Sequence, residues 1–188
     1  NLNIGSKLSL QIIPVFYLII LENFHLNDIG DYNYFKLELN SFSVPFTLLS
    51  IGFLINAFNY FDGLDGTLSF VSVSVLSILL FLSNNDYQIF LIVILIPILI
   101  FLFFNFRIFR LPKLFLGDSG SLLLGFIISF TIIYLANQKI VHPILLAFSI
   151  AIFVYEFLSI NLIRIITKKK IFTAGLDHLH HILFKKYK

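Results

Sequence analysis

Long apolar runs, separated by short polar segments, extend along almost the whole chain. Six runs approach the roughly 20 apolar residues that a helix needs to cross a bilayer, and they lie at 8–24, 42–61, 68–83, 89–106, 122–136 and 143–166. Runs of this length favour helices over strands, because a spanning helix satisfies its own backbone hydrogen bonds. The pattern therefore predicts an all-α, polytopic integral membrane protein with about six transmembrane helices, forming a single domain over residues 1–188.

The composition agrees with this pattern. Apolar residues make up 59% of the chain and charged residues 12%, with a mean hydropathy of +0.96. Soluble globular domains are about half apolar and about one quarter charged, so that class is excluded. There is no cysteine, which leaves carboxylate and imidazole as the strong metal ligands. The small net charge of +3 gives no reason to expect a nucleic-acid partner.

The polar segments alternate between two sides of the predicted bundle. One side carries eleven of the 13 Lys and Arg residues, in the N-terminus, in segments 62–67 and 107–121, and from the end of the last run onward; the other side carries only Lys36 and Lys139. Positively charged loops stay in the cytoplasm, so the first side is predicted to be cytoplasmic and the protein to span the inner (plasma) membrane. On the other side, the polar stretch 27–40 predicts a surface loop or a short hairpin.

Two polar segments lie on the predicted cytoplasmic side, at the ends of apolar runs. The first, Asn-Ala-Phe-Asn-Tyr-Phe-Asp-Gly-Leu-Asp-Gly, spans 56–66 and places Asn56 and Asn59 on one helix face. It is either a polar helix end with a turn or a binding site, and polar groups at membrane depth favour the site. In the second, Phe-Leu-Gly-Asp-Ser-Gly-Ser at 115–121, Asp118 either caps a helix or holds a divalent cation beside phosphate groups.

The third segment is the tail, where three histidines fall within four residues. Such a cluster indicates phosphate or metal binding, although an interfacial loop that binds nothing is the plainer alternative. Zinc is disfavoured, because side chains this close rarely all reach one tetrahedral ion without ligands from elsewhere. The histidines are His178, His180 and His181, and Asp177 precedes them.

In this order and on one face, the three segments resemble the motifs of the polyprenyl-phosphate N-acetylhexosamine-1-phosphate transferases, glycosyltransferase family 4. That family includes phospho-N-acetylmuramoyl-pentapeptide transferase. The motifs at 56–66, 115–121 and 178–181 match in full. The Asp before the histidines and the Asn-Ala-Phe-Asn element are similar to the branch that transfers N-acetylglucosamine-1-phosphate to undecaprenyl phosphate at the start of envelope polysaccharide synthesis. The peptidoglycan enzyme is the alternative.

The resemblance implies a reaction and a set of roles. UDP-N-acetylhexosamine and polyprenyl phosphate would be the substrates, Mg²⁺ the cofactor and UMP a product, with Mn²⁺ and a homodimer left open. The implied catalytic residues are Asp62, Asp118 and His180, with Asp118 as the metal ligand. The implied substrate-binding residues are Lys7, Asn56, Asn59, Gly63, Asp65, Phe115, Gly117, His178 and His181, with Asp65 and Gly63 at the uracil and Phe115 stacked on it.

Two departures from the family motifs weaken the expectation of activity. The chain has Gly175 and Leu176 where the family commonly carries Asp-Arg. The family also carries an Asp-Asp pair that would precede Asn1. We therefore expect residues 1–188 to be the C-terminal part of the family domain and to be inactive alone. A UDP-sugar-binding homologue without activity therefore stays open. A channel or transporter with Glu156 in its pathway is the alternative from another class.

Overall fold

The computed structural model describes residues 4–63 and 65–168, apart from the side chains of residues 4–8, 10 and 86. The described part is mostly helical, as predicted. The helices are α1 (Ile4–Phe16), α2 (Ser43–Phe61), α3 (Thr67–Leu82), α4 (Asn85–Asn105), α5 (Gly117–Asn137), α6 (Pro143–Ser149) and α7 (Ala151–Ile166). Two strands, β1 (Asp28–Asp31) and β2 (Lys36–Glu38), lie between α1 and α2.

Three helical segments of the described part are long and apolar enough to cross a membrane: Asn40–Phe61, Tyr87–Asn105 and Gly117–Asn137. The consecutive helices α6 and α7 would form a fourth span if taken together. The first and third predicted spans form shorter apolar helices, Gln11–Leu21 and Thr67–Leu82. A helix of 16 residues such as α3 is only about 24 Å long, less than the roughly 30 Å of hydrocarbon. By the length and composition of its described helices, the chain is thus a membrane protein with three or four candidate spans.

The last predicted span, 143–166, is not one continuous helix. It breaks at Ile150, where the backbone leaves helical geometry (φ −106°, ψ 6°), and α6 and α7 meet at a bend of 65°. Neither glycine nor proline stands at the break. The Ser149 hydroxyl donates to the carbonyl of Leu146 at 2.7 Å, and such bonds to the preceding turn bend helices. Pro143 at the start of α6 follows the usual preference for proline in a first turn.

The stretch 27–40, expected to be a surface loop or a short hairpin, contains a hairpin at the end of the bundle where α2 begins. Strand β1 pairs with β2 in antiparallel register. The side-chain amide of Asn137, at the end of α5, donates to the carbonyl of His25 at 2.8 Å. The ring Nε2 of His142 lies 3.2 Å from the carbonyl of Asp31. These bonds attach the hairpin to the loop between α5 and α6, far along α2 from its polar end.

The centre of the bundle is the antiparallel pair α2 and α5. A Cβ atom on Gly125 would lie 2.9 Å from the Cα of Ile55, so the absence of a side chain allows the two backbones to approach. One turn further along α2, the fully buried ring of Phe58 stacks on Phe153 of α7 at 3.9 Å between centroids. Helix α2 is therefore held between α5 and α7, and its polar end is positioned by both.

Candidate functional site

A cavity of about 280 Å³ lies at the end of the bundle opposite the hairpin. Helices α2 and α4 end there, and α3 and α5 begin there. Six of the residues predicted from the sequence line it: Asp62, Gly63, Asp65, Phe115, Gly117 and Asp118. The other lining residues are Gly66, Ser69, Phe101, Asn105 and Leu116. The structure thus brings the first two polar segments to one place.

The wall formed by the first segment depends on a left-handed glycine. Helix α2 ends at Phe61, and the chain turns into α3 through Gly66, which has φ +73°. Residues with a side chain rarely adopt this conformation. A Cβ atom at Gly66 would also overlap the ring of Phe106, which follows α4. The sharp turn and the close ring together hold the Asp-bearing loop against the end of α4.

Asn59 connects the two segments. Its side-chain Nδ2 donates to the hydroxyl of Ser121 at 2.8 Å and lies 3.3 Å from Oδ1 of Asp118. Ser121 is completely buried, and its hydroxyl donates in turn to the carbonyls of Gly117 and Asp118 in the first turn of α5. Asn59 does not line the cavity itself, but its amide fixes the first turn of α5 against the last turn of α2.

Two carboxyl groups of the cavity influence each other. Burial raises the pKa of Asp62, and the negative charge of Asp118 raises that pKa further. The residue before α5 is Leu116, so Asp118 belongs to the first helical turn and does not occupy the N-cap position. A divalent cation would relieve the repulsion between the two carboxylates. Within 4–63 and 65–168, no three carboxylate or imidazole groups converge as a complete metal site.

Asp65 and Phe115 bring one residue of each segment to the cavity. The ammonium group of Lys113 forms an ion pair with Oδ2 of Asp65. The same ammonium group lies 4.8 Å from the centre of the Phe115 ring. The ring is otherwise largely exposed, at 71%. A planar group could stack on its free face, beside a carboxylate oxygen that can accept a hydrogen bond.

Asn105 is a site residue that the motifs did not indicate. Its side chain is 5% exposed and donates from Nδ2 to the carbonyl of Leu114 at 2.7 Å. Its Oδ1 has no hydrogen-bond partner among the described residues, and a buried oxygen without a partner is costly. The signal was present in the sequence: Asn105 is an amide in the last turn of the otherwise almost entirely apolar α4.

Of the remaining predicted residues, only Asn56 has a described side chain, and it does not line the cavity. The side-chain amide of Asn56 donates to the carbonyl of Gly52 at 2.7 Å and to Oε1 of Gln11 at 3.2 Å, which places it between α1 and α2. Lys7 belongs to α1, but its side chain lies outside the described part. The histidines His178, His180 and His181 also lie outside the described residues. The predicted roles of these five residues stay predictions.

The described part is an apolar helical bundle of the membrane-protein class, with an acidic cavity at one end. The sequence pattern of glycosyl transferase family 4 matches residues 1–136. Because the match covers most of the chain, including both motifs around the cavity, the chain belongs to this family.

Curated relatives have consistent names. An undecaprenyl-phosphate alpha-N-acetylglucosaminyl 1-phosphate transferase of Escherichia coli (strain K12) is 25% identical over 98% of this chain and 53% of its own length. A probable undecaprenyl-phosphate N-acetylglucosaminyl 1-phosphate transferase of Bacillus subtilis (strain 168) is 34% identical over 79% of this chain and 42% of its own length. The chain spans about half the length of these relatives or less.

Proposed function

We propose that the protein containing this chain transfers N-acetylhexosamine-1-phosphate, with N-acetylglucosamine as the preferred sugar, from a UDP-sugar to undecaprenyl or a related polyprenyl phosphate. The observation that carries the proposal is the cavity itself, where Asp62, Asp65 and Asp118 meet Phe115 at one end of an apolar bundle. The names of the relatives supply the acceptor and the sugar. The peptidoglycan enzyme is the alternative that these names disfavour.

The reaction is a displacement at phosphorus. An oxygen of the lipid phosphate attacks the β-phosphorus of the UDP-sugar, a new P–O bond forms, and the bond to the bridging oxygen breaks to release UMP. Little covalent chemistry is required of the protein, so catalysis depends on positioning and on charge. Phe115 would stack on the uracil, and Oδ1 of Asp65 would accept a hydrogen bond from it. The oxygen of Asn105 that has no partner is a further acceptor on the same cavity.

Asp118 is the proposed ligand of Mg²⁺ or Mn²⁺, and Asp62 lines the same cavity. The fit rests on two carboxylates that line one cavity: burial raises the pKa of Asp62, and the negative charge of Asp118 raises it further. Mg²⁺ sites commonly use one or two carboxylates together with substrate phosphates, so two suffice here. When bound, the ion supplies positive charge to the pyrophosphate and the departing UMP. Asn59 keeps Asp118 at the end of α2 through its hydrogen bonds.

An apolar groove supports a lipid acceptor. It has a volume of about 490 Å³, lies between α2, α5 and the α6–α7 pair, and is lined almost entirely by aliphatic and aromatic side chains such as Phe46, Leu49, Ile132 and Val154. The groove lies toward the hairpin end of α2 rather than at the cavity. It would therefore hold a distal part of a polyprenyl chain, while the phosphate remains near Asp62 and Asp118.

The proposed topology has six crossings with the cavity in the cytoplasm. Helices α2 and α5 run in opposite directions, so the loops at the cavity fall on one side and the hairpin on the other. The loop at the cavity contains Arg107, Arg110 and Lys113, whereas the hairpin side contains only Lys36 and Lys139. By the positive-inside rule, the cavity side is then the cytoplasmic one. The two shorter apolar helices would cross with the help of neighbouring helices or local thinning of the bilayer.

The test is UMP release by the complete protein, purified in detergent, with polyprenyl phosphate, Mg²⁺ and UDP-N-acetylglucosamine. UDP-N-acetylgalactosamine and UDP-N-acetylmuramoyl-pentapeptide are compared as donors. We expect release only when acceptor, donor and metal are all present. Donor binding without release would support the inactive UDP-sugar-binding homologue. Preference for the pentapeptide donor would support the peptidoglycan enzyme. A channel would not release UMP in the presence of acceptor, donor and metal. Glu156, which the channel alternative places in a pathway, is buried inside the bundle at 7% exposure.

A further inference from the structure

Lys113 makes two contacts with residues of the cavity, although it does not line the cavity itself. Its ammonium group pairs with Oδ2 of Asp65 and also lies 4.8 Å from the centre of the Phe115 ring. Asp65 follows α2 and Phe115 precedes α5, so one cation connects the two loops. Neither contact follows from the motifs that the sequence analysis used.

Among the described residues, the two contacts leave Oδ1 of Asp65 and one face of the Phe115 ring open to a ligand. Asp65 uses Oδ2 for the ion pair, so its Oδ1 can accept a hydrogen bond from a ligand. Lys113 covers one face of the Phe115 ring, and the ring remains 71% exposed. A flat ligand that carries a ring N–H could stack on Phe115 and donate to Asp65 at once. Uracil has such an N–H at its N3 position, whereas the N3 of cytosine is an acceptor.

We propose that Lys113 is a positioning residue that determines base specificity, by fixing the Asp65 carboxylate and the Phe115 ring as the two sides of the uracil site. This inference rests on the proposed function, because it assumes that the cavity binds a uridine nucleotide. Lys113 touches no reacting atom in this arrangement. Its removal should therefore affect nucleotide affinity and selectivity, and should leave the chemical step nearly unchanged.

The contacts of Lys113 contribute more to positioning than to the stability of the fold. The side chains of Lys113 and Asp65 are 22% and 49% exposed, and exposed ion pairs stabilise proteins little. Replacing Lys113 by Met keeps an unbranched, apolar side chain and removes the charged ammonium group. We therefore expect Lys113→Met to melt within a few degrees of the wild type, so that a loss of binding can be assigned to the site.

The experiment measures the binding of UMP and CMP to the complete protein in detergent by calorimetry, together with KM and kcat for UDP-N-acetylglucosamine. The variants are Lys113→Met and Lys113→Arg. Lys36→Met is the matched control, because Lys36 also forms exposed ion pairs but lies in the hairpin. Lys113→Met should weaken UMP binding by about threefold to tenfold, from the usual strengths of an exposed ion pair and a cation–π contact.

The selectivity distinguishes positioning from general damage. In Lys113→Met the ratio of UMP to CMP affinity should fall and KM should rise with kcat nearly constant, whereas Lys113→Arg should restore most of both. An unchanged ratio in Lys113→Met, with wild-type UMP binding intact, would overturn the role of Lys113 and leave the nucleotide site standing. Absence of UMP binding by the wild type would overturn the proposed function as well.

A double-mutant cycle gives an independent check. If Lys113 acts through Asp65, the change in the UMP to CMP ratio caused by Lys113→Met should largely disappear in an Asp65→Asn background. Independent, additive changes in the two variants would show that Lys113 does not act through this carboxylate, and would also overturn the proposal.

Discussion

Replacing Asp118 by Asn gives the sharpest test of the acidic cavity. The change keeps the size of the side chain and an oxygen that can accept from Asn59, whose Nδ2 lies 3.3 Å from Oδ1 of Asp118. It removes the negative charge. An acidic group in the first turn of a helix contributes about 0.3–1 kcal/mol through the helix dipole. The variant also removes the repulsion between the charges of Asp118 and Asp62, which offsets part of that loss. The stability of the protein should therefore change by less than about 1 kcal/mol.

The effect on turnover should be far larger. If Asp118 holds the metal that stabilises the departing UMP, its loss should raise the barrier by about 4 kcal/mol, which corresponds to roughly a thousandfold in rate. The assay is UMP release at saturating donor and acceptor, with melting curves recorded for the same samples. Ser119→Ala is the matched control, because Ser119 is an exposed neighbour in the same helical turn and should retain nearly full activity.

The competing interpretation of Asp118 makes the opposite forecast. If Asp118 only holds the first turn of α5 against Asn59, Asn keeps an oxygen that can accept the same hydrogen bond, so turnover would stay close to the wild-type value. Near-normal UMP release by Asp118→Asn, with an unchanged melting temperature, would refute the metal-ligand role. A loss of activity that merely follows a collapse of the melting temperature would also refute it, because the carboxylate would then be needed for the fold.

Three further predictions test packing, charge and topology. Gly125→Ala should destabilise the protein by about 1–3 kcal/mol, because the new Cβ must displace the α2 backbone. Gly52→Ala, which has open space around it, should leave the stability unchanged, and melting curves compare the two variants. The pKa of Asp62 is raised in the folded state, so its carboxylate charge opposes folding once the pH rises through that pKa. Without metal, Asp62→Asn should therefore raise the melting temperature at pH 8 but not at pH 3. Cysteine probes at Asn137 should react from outside intact cells, and probes at Thr67 should not.

The sequence predicted the helical bundle, the hairpin and the meeting of two polar segments. These features depend on local signals. A polar segment ends each apolar run, and a glycine at position 66 marks the turn from α2 into α3. The prediction that both segments lie on one side followed from counting crossings, and the antiparallel α2 and α5 satisfy it. Such signals can be recognised in a single sequence because they depend on hydrophobicity and local backbone conformation.

The features that the sequence did not predict depend on contacts between distant residues. No proline or glycine stands at Ile150 to predict the helix break there. The features found near the break are the Ser149 hydroxyl, which bonds to the preceding turn, and the packing of α7 against α2. Helical spacing placed Asn56 on the same face as Asn59, but could not show that its amide would bond to Gln11 in α1. The ion pair of Lys113 joins separate loops, so only the fold could show it.

The packing of α2 against α5 and the chemistry of the cavity are linked by one short path. Gly125 sets the distance between the two helices, and one turn toward the cavity Ser121 receives the hydrogen bond from Asn59 that fixes the first turn of α5. Asp118 lies in that turn. A displacement of α2 by Gly125→Ala should therefore weaken the Asn59 bond and move Asp118 away from Asp62. Turnover should fall by more than the loss of folded protein explains, because the proposed metal site needs both carboxylates in place.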